Sequence, residues 1–426
     1  MIWLAVVGIV LAAFAGAPLF AVLMAGAMLG FVAADIPLAI VAAEVYRIAD
    51  TPLLIVLPLF TYSGYLLAEA KTSQRLVDLV QSLFGWLPSG LAMVGFVACA
   101  VFTALTGASG VTIVALGALL LPALARSGYS EKFGLGLVTT SGSLGLLLVP
   151  SVPLILYGII AQQLDVGEPF TIFQLFLAGL LPMLLMLALL VGWTLWRHRG
   201  GIIPRVAFSR ERLWSALKAA RWELPLPFVV LGGIYSGYFA ISEAAAVTAL
   251  YVTVAEVMLY REVTWRGLPK VMLDAMVMVG GILLVLGVAL AFTNFLVDAE
   301  VPQKLFEFTQ EHISSKLGFL LLLNVMLLAL GAMLDIYSAL VVIVPLILPV
   351  AAGYGVHPVH LGIIFLANMQ IGYFTPPVGM NLFIASYRFG KPIEELYVAS
   401  WPFMLVLLIA LGLITYVPWI SLVFIQ

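Results

Sequence analysis

The chain has 426 residues, of which 64% are hydrophobic and only 9% charged, with a formal net charge of −2 at pH 7. Soluble domains carry roughly 25% charged residues, so the composition excludes a soluble globular protein and leaves a polytopic membrane protein. The near-neutral charge selects no partner by itself, and no nucleic acid is expected. The single cysteine, Cys99, lies in an apolar run, which excludes a disulfide framework and gives the residue a packing role. No GxxxxGK[ST] occurs, so the chain carries no P-loop for ATP.

The N-terminal stretch lacks the basic region and small-residue cleavage site of a signal peptide and is counted as structure. Apolar runs follow at 2–15, 17–34 and 52–70, with an amphipathic, interfacial segment around 37–49. The next two runs, 88–106 and 110–126, are joined by TGAS, too short for a polar loop, so they are expected to form a re-entrant hairpin. The run at 133–163 is interrupted by glycine and proline, and 171–196 is an uninterrupted span. The stretch RHRGGIIPRVAFSRERLWSALKAARWE, 197–223, reads as a cytoplasmic connector. Beyond it lie 224–240, 243–260 and 271–297, then an amphipathic segment at 301–315. A second hairpin, 316–332 and 335–352, is joined by ML. An interrupted run at 360–386 and a last span at 396–424 complete the chain. Turns at membrane depth are tolerated only where protein or a cavity surrounds them.

Without the hairpins each half crosses five times, so the second half enters from the opposite side. With the N-terminus outside, sixteen Lys and Arg residues fall inside and three (Arg47, Lys304 and Lys316) outside, as the positive-inside rule requires. The halves share a pattern. Pro122, Gly128, Gly145 and Pro150 recur as Pro349, Gly355, Gly372 and Pro377, each 227 residues on, and Pro182 pairs with Pro402 at 220. The expected fold is therefore all-α, an inverted repeat. Residues 1–196 form the first repeat (hairpin about 88–126, broken helix about 133–163), 197–223 the connector, and 224–426 the second repeat (hairpin about 316–352, broken helix about 360–386).

Within LGIIFLANMQIGYFTPPVGMNLFIAS, Pro376 and Pro377 cannot donate to the carbonyls of Gly372 and Tyr373, so those oxygens are expected to be free. An unpaired carbonyl in hydrocarbon costs several kcal/mol. With the Thr375 hydroxyl they would form a neutral-oxygen cage for a cation. The first half offers TTSGSLGLLLVPSVP, with Ser141, Ser143, Gly145, Pro150 and Pro153. Each broken helix is expected to face the hairpin tip of its own half, TGASG (Thr106–Gly110) or GAMLDIYS (Gly331–Ser338). Asp335, whose charge at membrane depth costs about 2.5–3.5 kcal/mol, is expected to cap the following helix and to add negative charge near the second cation. Asn381 is a candidate substrate contact or loop tie. Glu243 reads as a capping residue at a helix start.

GASG at 107–110 also fits a serine-protease G-x-S-G pattern, but His198, His312, His357 and His360 fall in loops or at helix ends and none is placed as the base. Asp335 lacks the facing aspartate of an aspartyl protease. A channel is the third class, and inverted broken helices fit alternating access better.

Three stretches carry a family resemblance. GGIYSGYFAISEAAAVTALYV, LDIYSALVVIVPLILPVAAGYGVHPVHLGIIFLANMQIGYFTPPVGMNLF, and ALGALLLPALARSGYSEKF followed by LVPSVPLILYG are similar to the large membrane subunit of tripartite ATP-independent periplasmic (TRAP) transporters, over essentially the whole chain. Three features depart from the pattern, one of them FAISEA in place of a more usual FTPTEA. Val149 stands where a first proline is expected, and the first tip lacks the family's acid. The resemblance implies import of an organic acid, commonly a carboxylate such as a C4-dicarboxylate or sialic acid, driven by sodium (Na+), across the bacterial inner membrane. It implies a periplasmic substrate-binding protein and a small four-helix membrane subunit as partners. It also implies an elevator mechanism, in which hairpins and broken helices move past a scaffold that includes 171–196 and 224–260. The first sodium site would draw on Gly107, Ser109, Ser141, Gly145 and Pro150, and the second on Gly331, Asp335, Gly372, Thr375 and Gly379. Substrate would lie between the tips near Ser143 and Asn381. A self-sufficient sodium/carboxylate symporter is the neighbouring alternative.

Overall fold

The computed structural model describes residues 2–47, 51–199, 207–236 and 238–425. Residues 200–206 of the connector, Arg205 among them, and the side chain of Arg47 lie outside that description. Every regular element among the described residues is helical. Eight helices are long and apolar enough to cross a bilayer, or up to nine if the bent pair Glu131–Leu147 and Val152–Leu164 forms one span.

The two hairpins are present. Gly90–Thr106 turns through Gly107 and Ala108 into Ser109–Arg126, and Lys316–Met333 turns through Leu334 and Asp335 into Ile336–Gly353. Their boundaries repeat with the spacing of the prolines. Thr106 and Met333, Ser109 and Ile336, Arg126 and Gly353, and Glu131 and Pro358 are each 227 residues apart. The first broken helix runs Glu131–Ser141, a 3-10 turn Leu144–Leu147, then Val152–Leu164, with a 41° bend. The second runs Pro358–Gly372 and resumes at Met380–Phe389. Val149–Pro150 and Pro376–Pro377 are cis.

These interrupted helices occupy the middle of the molecule. All fifteen residues of Pro358–Gly372 are buried, as are the first ten of Val152–Leu164. A helix that is apolar all round has no face suited to water and is buried in a large core, and broken backbone is tolerated at this depth because protein surrounds it. Ile172–Arg197, expected with the scaffold, instead packs against Pro358–Gly372 and Ile393–Tyr416. It is a 26-residue continuous helix, and only its partners assign it to the broken helices. The other layer is formed by Leu19–Ala33, Val56–Glu69, Ile241–Thr253 and Leu268–Asp298.

Some expected spans are shorter than their apolar runs. The run 224–240 is helical only over Pro225–Tyr235, about 16 Å at 1.5 Å per residue, half of a bilayer core of about 30 Å. The chain turns at Ser236, whose hydroxyl bonds the Gly232 carbonyl. The next helix opens at Ile241, where the Glu243 carboxylate accepts from the Ala240 amide at 2.9 Å, the capping role expected of it. The last run ends at Tyr416 and is followed by a short turn of helix, Trp419–Leu422. Five full-length crossings per half therefore do not follow from helix length.

The expected elements do not include Arg210–Ala219, within the connector, or Thr72–Phe84, after the third apolar run. Thr72–Phe84, with buried Arg75, Val77, Leu79 and Val80, joins Val56–Glu69 to the first hairpin. Arg75 fastens it to Glu223, at the end of the connector, and to Glu256 and Glu262, which follow Ile241–Thr253. Its Nε lies 2.8 and 2.9 Å from the Glu223 carboxylate oxygens, Nη1 2.7 Å from Glu262, and Nη2 3.2 Å from Glu256. The Tyr260 ring lies 3.9 Å from the guanidinium carbon. Burial works against the charge, but the bonds to Glu223 outweigh it and hold the guanidinium firmly protonated.

Candidate functional site

The two hairpin tips meet. The Tyr337 hydroxyl donates to the Gly107 carbonyl at 3.0 Å, joining the start of Ile336–Gly353 to the turn of the first hairpin. Between the tips, Val56–Glu69 and Leu268–Asp298 lies a cavity of about 730 Å³. Its wall includes Gly107, Ser109 and Asp335, together with Tyr65, Tyr337 and Tyr373. Among the described residues it carries the carboxylates of Glu69, Asp274 and Asp335 and no Lys, Arg or His.

The two tips are chemically unlike at equivalent positions. Asp335 Oδ1 accepts from the amides of Tyr337 and Ser338, both at 3.0 Å, so this helix start is capped. The residue 227 positions earlier is Ala108, whose side chain offers no acceptor. The first amides of Ser109–Arg126 therefore end, uncapped, beside the cavity wall formed by Ser109, Gly110 and Val111. Such a terminus carries partial positive charge.

Each break is pressed onto its own hairpin. A Cβ on Gly372 would stand 2.6 Å from the Gly331 Cα, and one on Gly145 would run into the Ala100 carbonyl and the Ala104 amide. Only glycine allows these backbones to approach so closely. Gly379 donates its amide to the Ala332 carbonyl at 2.9 Å, and the Tyr373 hydroxyl accepts from the Ile336 amide at 2.7 Å. In the first half, Thr103 Oγ1 lies 2.8 Å from the Gly142 carbonyl and 2.8 Å from Thr112 Oγ1. Gly331, Gly372, Thr375 and Gly379 thus gather at the second tip, and Ser141, Gly145 and Pro150 lie in the buried first break.

The carbonyls expected to be free are not. The Gly372 oxygen accepts from the Thr375 amide at 2.9 Å, and the Tyr373 oxygen from the Asn381 amide at 2.8 Å. The chain curls back after Gly372, so the Thr375 amide just before the prolines and the Asn381 amide beyond them replace those the prolines lack. Each oxygen keeps only its second lone pair. The Thr375 hydroxyl donates to the Ile371 carbonyl at 2.9 Å, and the Ser141 hydroxyl donates to Leu137, both along their own helix. Ser143 and Asn381 do not line the cavity. Both are fully buried and tie the halves together: Ser143 Oγ donates to the Gln370 carbonyl at 3.0 Å, and Asn381 Nδ2 to the Thr139 carbonyl at 3.2 Å. Along this seam four buried oxygens have no hydrogen-bond partner among the described residues: Thr139 Oγ1, Ser151 Oγ, Gln370 Oε1 and Asn381 Oδ1.

Tyr337, Tyr373 and Thr103 were missed in the sequence. Their signal was local, a hydroxyl residue beside each motif, in LDIYS, IGYFT and VFTAL. The protease pattern at GASG proves to be a hairpin turn and the first residues of a helix. His360 is engaged with Ser421 and Thr415 instead.

Two tip-to-tip hairpins and two interrupted helices enclosing a cavity in an all-helical membrane chain define a transport permease. The chain belongs to the family described as tripartite ATP-independent periplasmic transporter, DctM component, which it matches over residues 2–420. It is a multi-pass membrane protein and a secondary transporter, not an enzyme. It is 36% identical over 402 residues to the C4-dicarboxylate TRAP transporter large permease protein DctM of Rhodobacter capsulatus, covering 92% of this chain and 91% of the relative. The sialic acid TRAP transporter large permease protein SiaM of Vibrio cholerae is 31% identical, with 87% and 85% covered. The ectoine TRAP transporter large permease protein TeaC of Halomonas elongata is 28% identical, with 87% and 85% covered. Among solved structures the fold is similar to the YdaH transporter of Alcanivorax borkumensis, with a TM-score of 0.62 at 17% identity over 89% of this chain and 87% of that one.

Proposed function

We propose that this chain is the large permease subunit of a sodium-coupled importer of an organic acid in the bacterial inner membrane, with its N-terminus on the periplasmic side. A periplasmic substrate-binding protein delivers the solute, and a small four-helix membrane subunit completes the complex. The named relatives support an organic acid: dicarboxylate, sialic acid and ectoine permeases align along most of the chain.

The observation that carries the coupling is the charge of the tip cavity. Among the described residues three carboxylates and no basic side chain line it. A carboxylate solute entering there meets the uncapped start of Ser109–Arg126 and otherwise finds only negative charge, so cations must enter with it. The residues fit such ions. Gly107, Ser109, Ser141, Gly145 and Pro150 would hold the first, and Gly331, Asp335, Gly372, Thr375 and Gly379 the second, through second lone pairs and hydroxyl oxygens. The unpartnered oxygens of the seam fit bound cations or water, because a buried oxygen left without a partner costs about 1–3 kcal/mol. One sodium ion crossing 100 mV gains about 2.3 kcal/mol, and two ions with a monocarboxylate leave net positive charge moving inward.

The solute sits between the tips against Tyr337 and Tyr373, and Ser143 and Asn381 hold the broken helices together behind it. Hairpins and broken helices move as one body past a scaffold layer of Leu19–Ala33, Val56–Glu69, Ile241–Thr253 and Leu268–Asp298. Uptake into proteoliposomes containing both membrane subunits and the binding protein tests the reading. Accumulation of an organic acid should require inward sodium and the binding protein. Equal accumulation in choline buffer refutes the coupling, and full uptake without the binding protein turns the reading into a self-sufficient symporter.

A further inference from the structure

A second cavity, about 720 Å³, lies where Ile172–Arg197 ends and Glu131–Ser141 begins, beside the first turns of Ile393–Tyr416. It shares no wall residue with the tip cavity. Lys132, Arg197 and His198 stand on its wall, and among the described residues no Asp or Glu does. Glu131, next to Lys132, is turned to Lys391 at 2.6 Å. His198 Nδ1 lies 3.0 Å from the Thr194 carbonyl, which can only accept, so that nitrogen carries the proton. The floor is a rigid aromatic cluster. Phe133 lies 4.7 Å from the His198 ring and 6.0 Å from Trp193, and Trp193 lies 4.9 Å from Phe403.

Trp193 and Trp196 also wall an apolar groove of about 430 Å³ that continues from this pocket between the same two long helices, past Leu189, Gly192, Val406 and Ile409. From Arg197 to Ala188 on one helix, and from Val398 to Ile409 on the other, the combined cleft is about 14 and 16 Å deep at 1.5 Å per residue. That is half of a hydrocarbon core of about 30 Å, the depth of one leaflet. A Cβ at Gly192 would have nothing within 4 Å, so the groove is open beside it. Basic residues at one end, tryptophans at the boundary and an apolar cleft beyond are the order of chemistry along a phospholipid.

We propose that this pocket and groove form a binding site for an anionic phospholipid of the cytoplasmic leaflet, its phosphate at Lys132 and Arg197 and one acyl chain along Gly192. Basic pockets between helices on this side of a membrane favour anionic headgroups. A small free anion would use the pocket and leave the groove empty, whereas a lipid fills both.

The test is native mass spectrometry and titration of the purified, delipidated membrane complex with phosphatidylglycerol, with phosphatidylcholine of the same chains, and with glycerol phosphate. Phosphatidylglycerol should bind at least tenfold more tightly than phosphatidylcholine. Each basic residue contributes roughly fivefold, so Lys132→Gln with Arg197→Gln should weaken phosphatidylglycerol roughly 25-fold and leave phosphatidylcholine nearly unchanged. Gly192→Leu, which fills open space and spares the charges, should weaken both lipids. Equal binding of the two lipids by the unmodified protein overturns the proposal, and so does phosphatidylglycerol affinity that survives both variants. Glycerol phosphate binding as tightly as phosphatidylglycerol overturns the lipid assignment in favour of a small anion. None of these readouts depends on uptake, so they stand apart from the coupling proposed above.

Discussion

Replacing Arg75 with leucine removes the one cation that three carboxylates share. Glu256 is fully buried, and the side chains of Glu223 and Glu262 are only 12% and 18% exposed. Deleting one partner of a buried ion pair costs about 3–5 kcal/mol, chiefly because the remaining charge is stranded. Glu223 and Glu262 keep some access to water and can rehydrate, which places the expected cost at the lower end, about 3 kcal/mol. The loss should appear first in Thr72–Phe84, since Arg75 is the group that ties this helix to Glu223, Glu256 and Glu262. Local opening should become more favourable by roughly 100-fold, read by amide hydrogen exchange across residues 72–84 in the purified protein. A second change separates stranded charge from lost packing: Arg75→Leu with Glu256→Gln should recover part of the protection. Arg75→Lys keeps the charge, loses the planar fork that reaches three partners, and should fall between. Exchange within threefold of the unmodified protein in Arg75→Leu, or no recovery in the double variant, would refute the stranded-charge account.

Four further outcomes are expected. Gly372→Ala drives a Cβ to within 2.6 Å of the Gly331 backbone; such overpacking costs about 1–3 kcal/mol, and uptake should fall at least tenfold, while Gly412→Ala, with nothing within 4 Å of its Cβ, should behave as unmodified protein. Thr375→Ala should raise the half-saturating sodium concentration severalfold with little change in melting temperature; unchanged sodium activation removes Thr375 from the site. Asp335→Asn keeps the size and most of the capping geometry but removes a charge from the cavity wall, so sodium affinity should drop while thermal stability holds, and unaltered affinity leaves Asp335 as a cap alone. Tyr337→Phe deletes the bond to the Gly107 carbonyl, worth about 1 kcal/mol; hydrogen exchange at residues 106–112 should rise about fivefold, and an unchanged rate means the tips are held together by other contacts.

Much of the candidate site was legible because its chemistry is written in adjacent residues. Proline interrupts a helix wherever it stands, an aspartate ahead of an apolar run caps it, and two apolar runs joined by two or four residues must return to their own side. Asp335, Gly372 and Gly145 were found on such grounds, and each stands at a tip or a break. The tyrosines at the cavity were passed over because nothing in IYS or GYF separates an interfacial aromatic from a hydroxyl aimed at a tip 230 positions away. Thr72–Phe84 was passed over because its apolar stripe is too narrow to read as a span, and its one buried charge looks like an ordinary surface arginine until its partners are known.

Hydropathy and residue spacing alone determined that this chain lives in a bilayer, that it carries two hairpins and two broken helices, and that its halves repeat. The element boundaries at 106, 109, 126 and 131 return 227 residues later because turn, cap and break depend on neighbours along the chain. The three-dimensional path of the break decided which carbonyls are occupied, since the Gly372 oxygen takes the Thr375 amide in a tight turn and the Tyr373 oxygen takes the Asn381 amide from beyond the prolines. Tertiary structure alone decided that Ser143 and Asn381 join the halves and that Arg75 meets carboxylates 148 to 187 residues away. Hydrogen bonds and ion pairs act over a few ångströms, so their partners are set by how helices pack, and local sequence does not encode that distance.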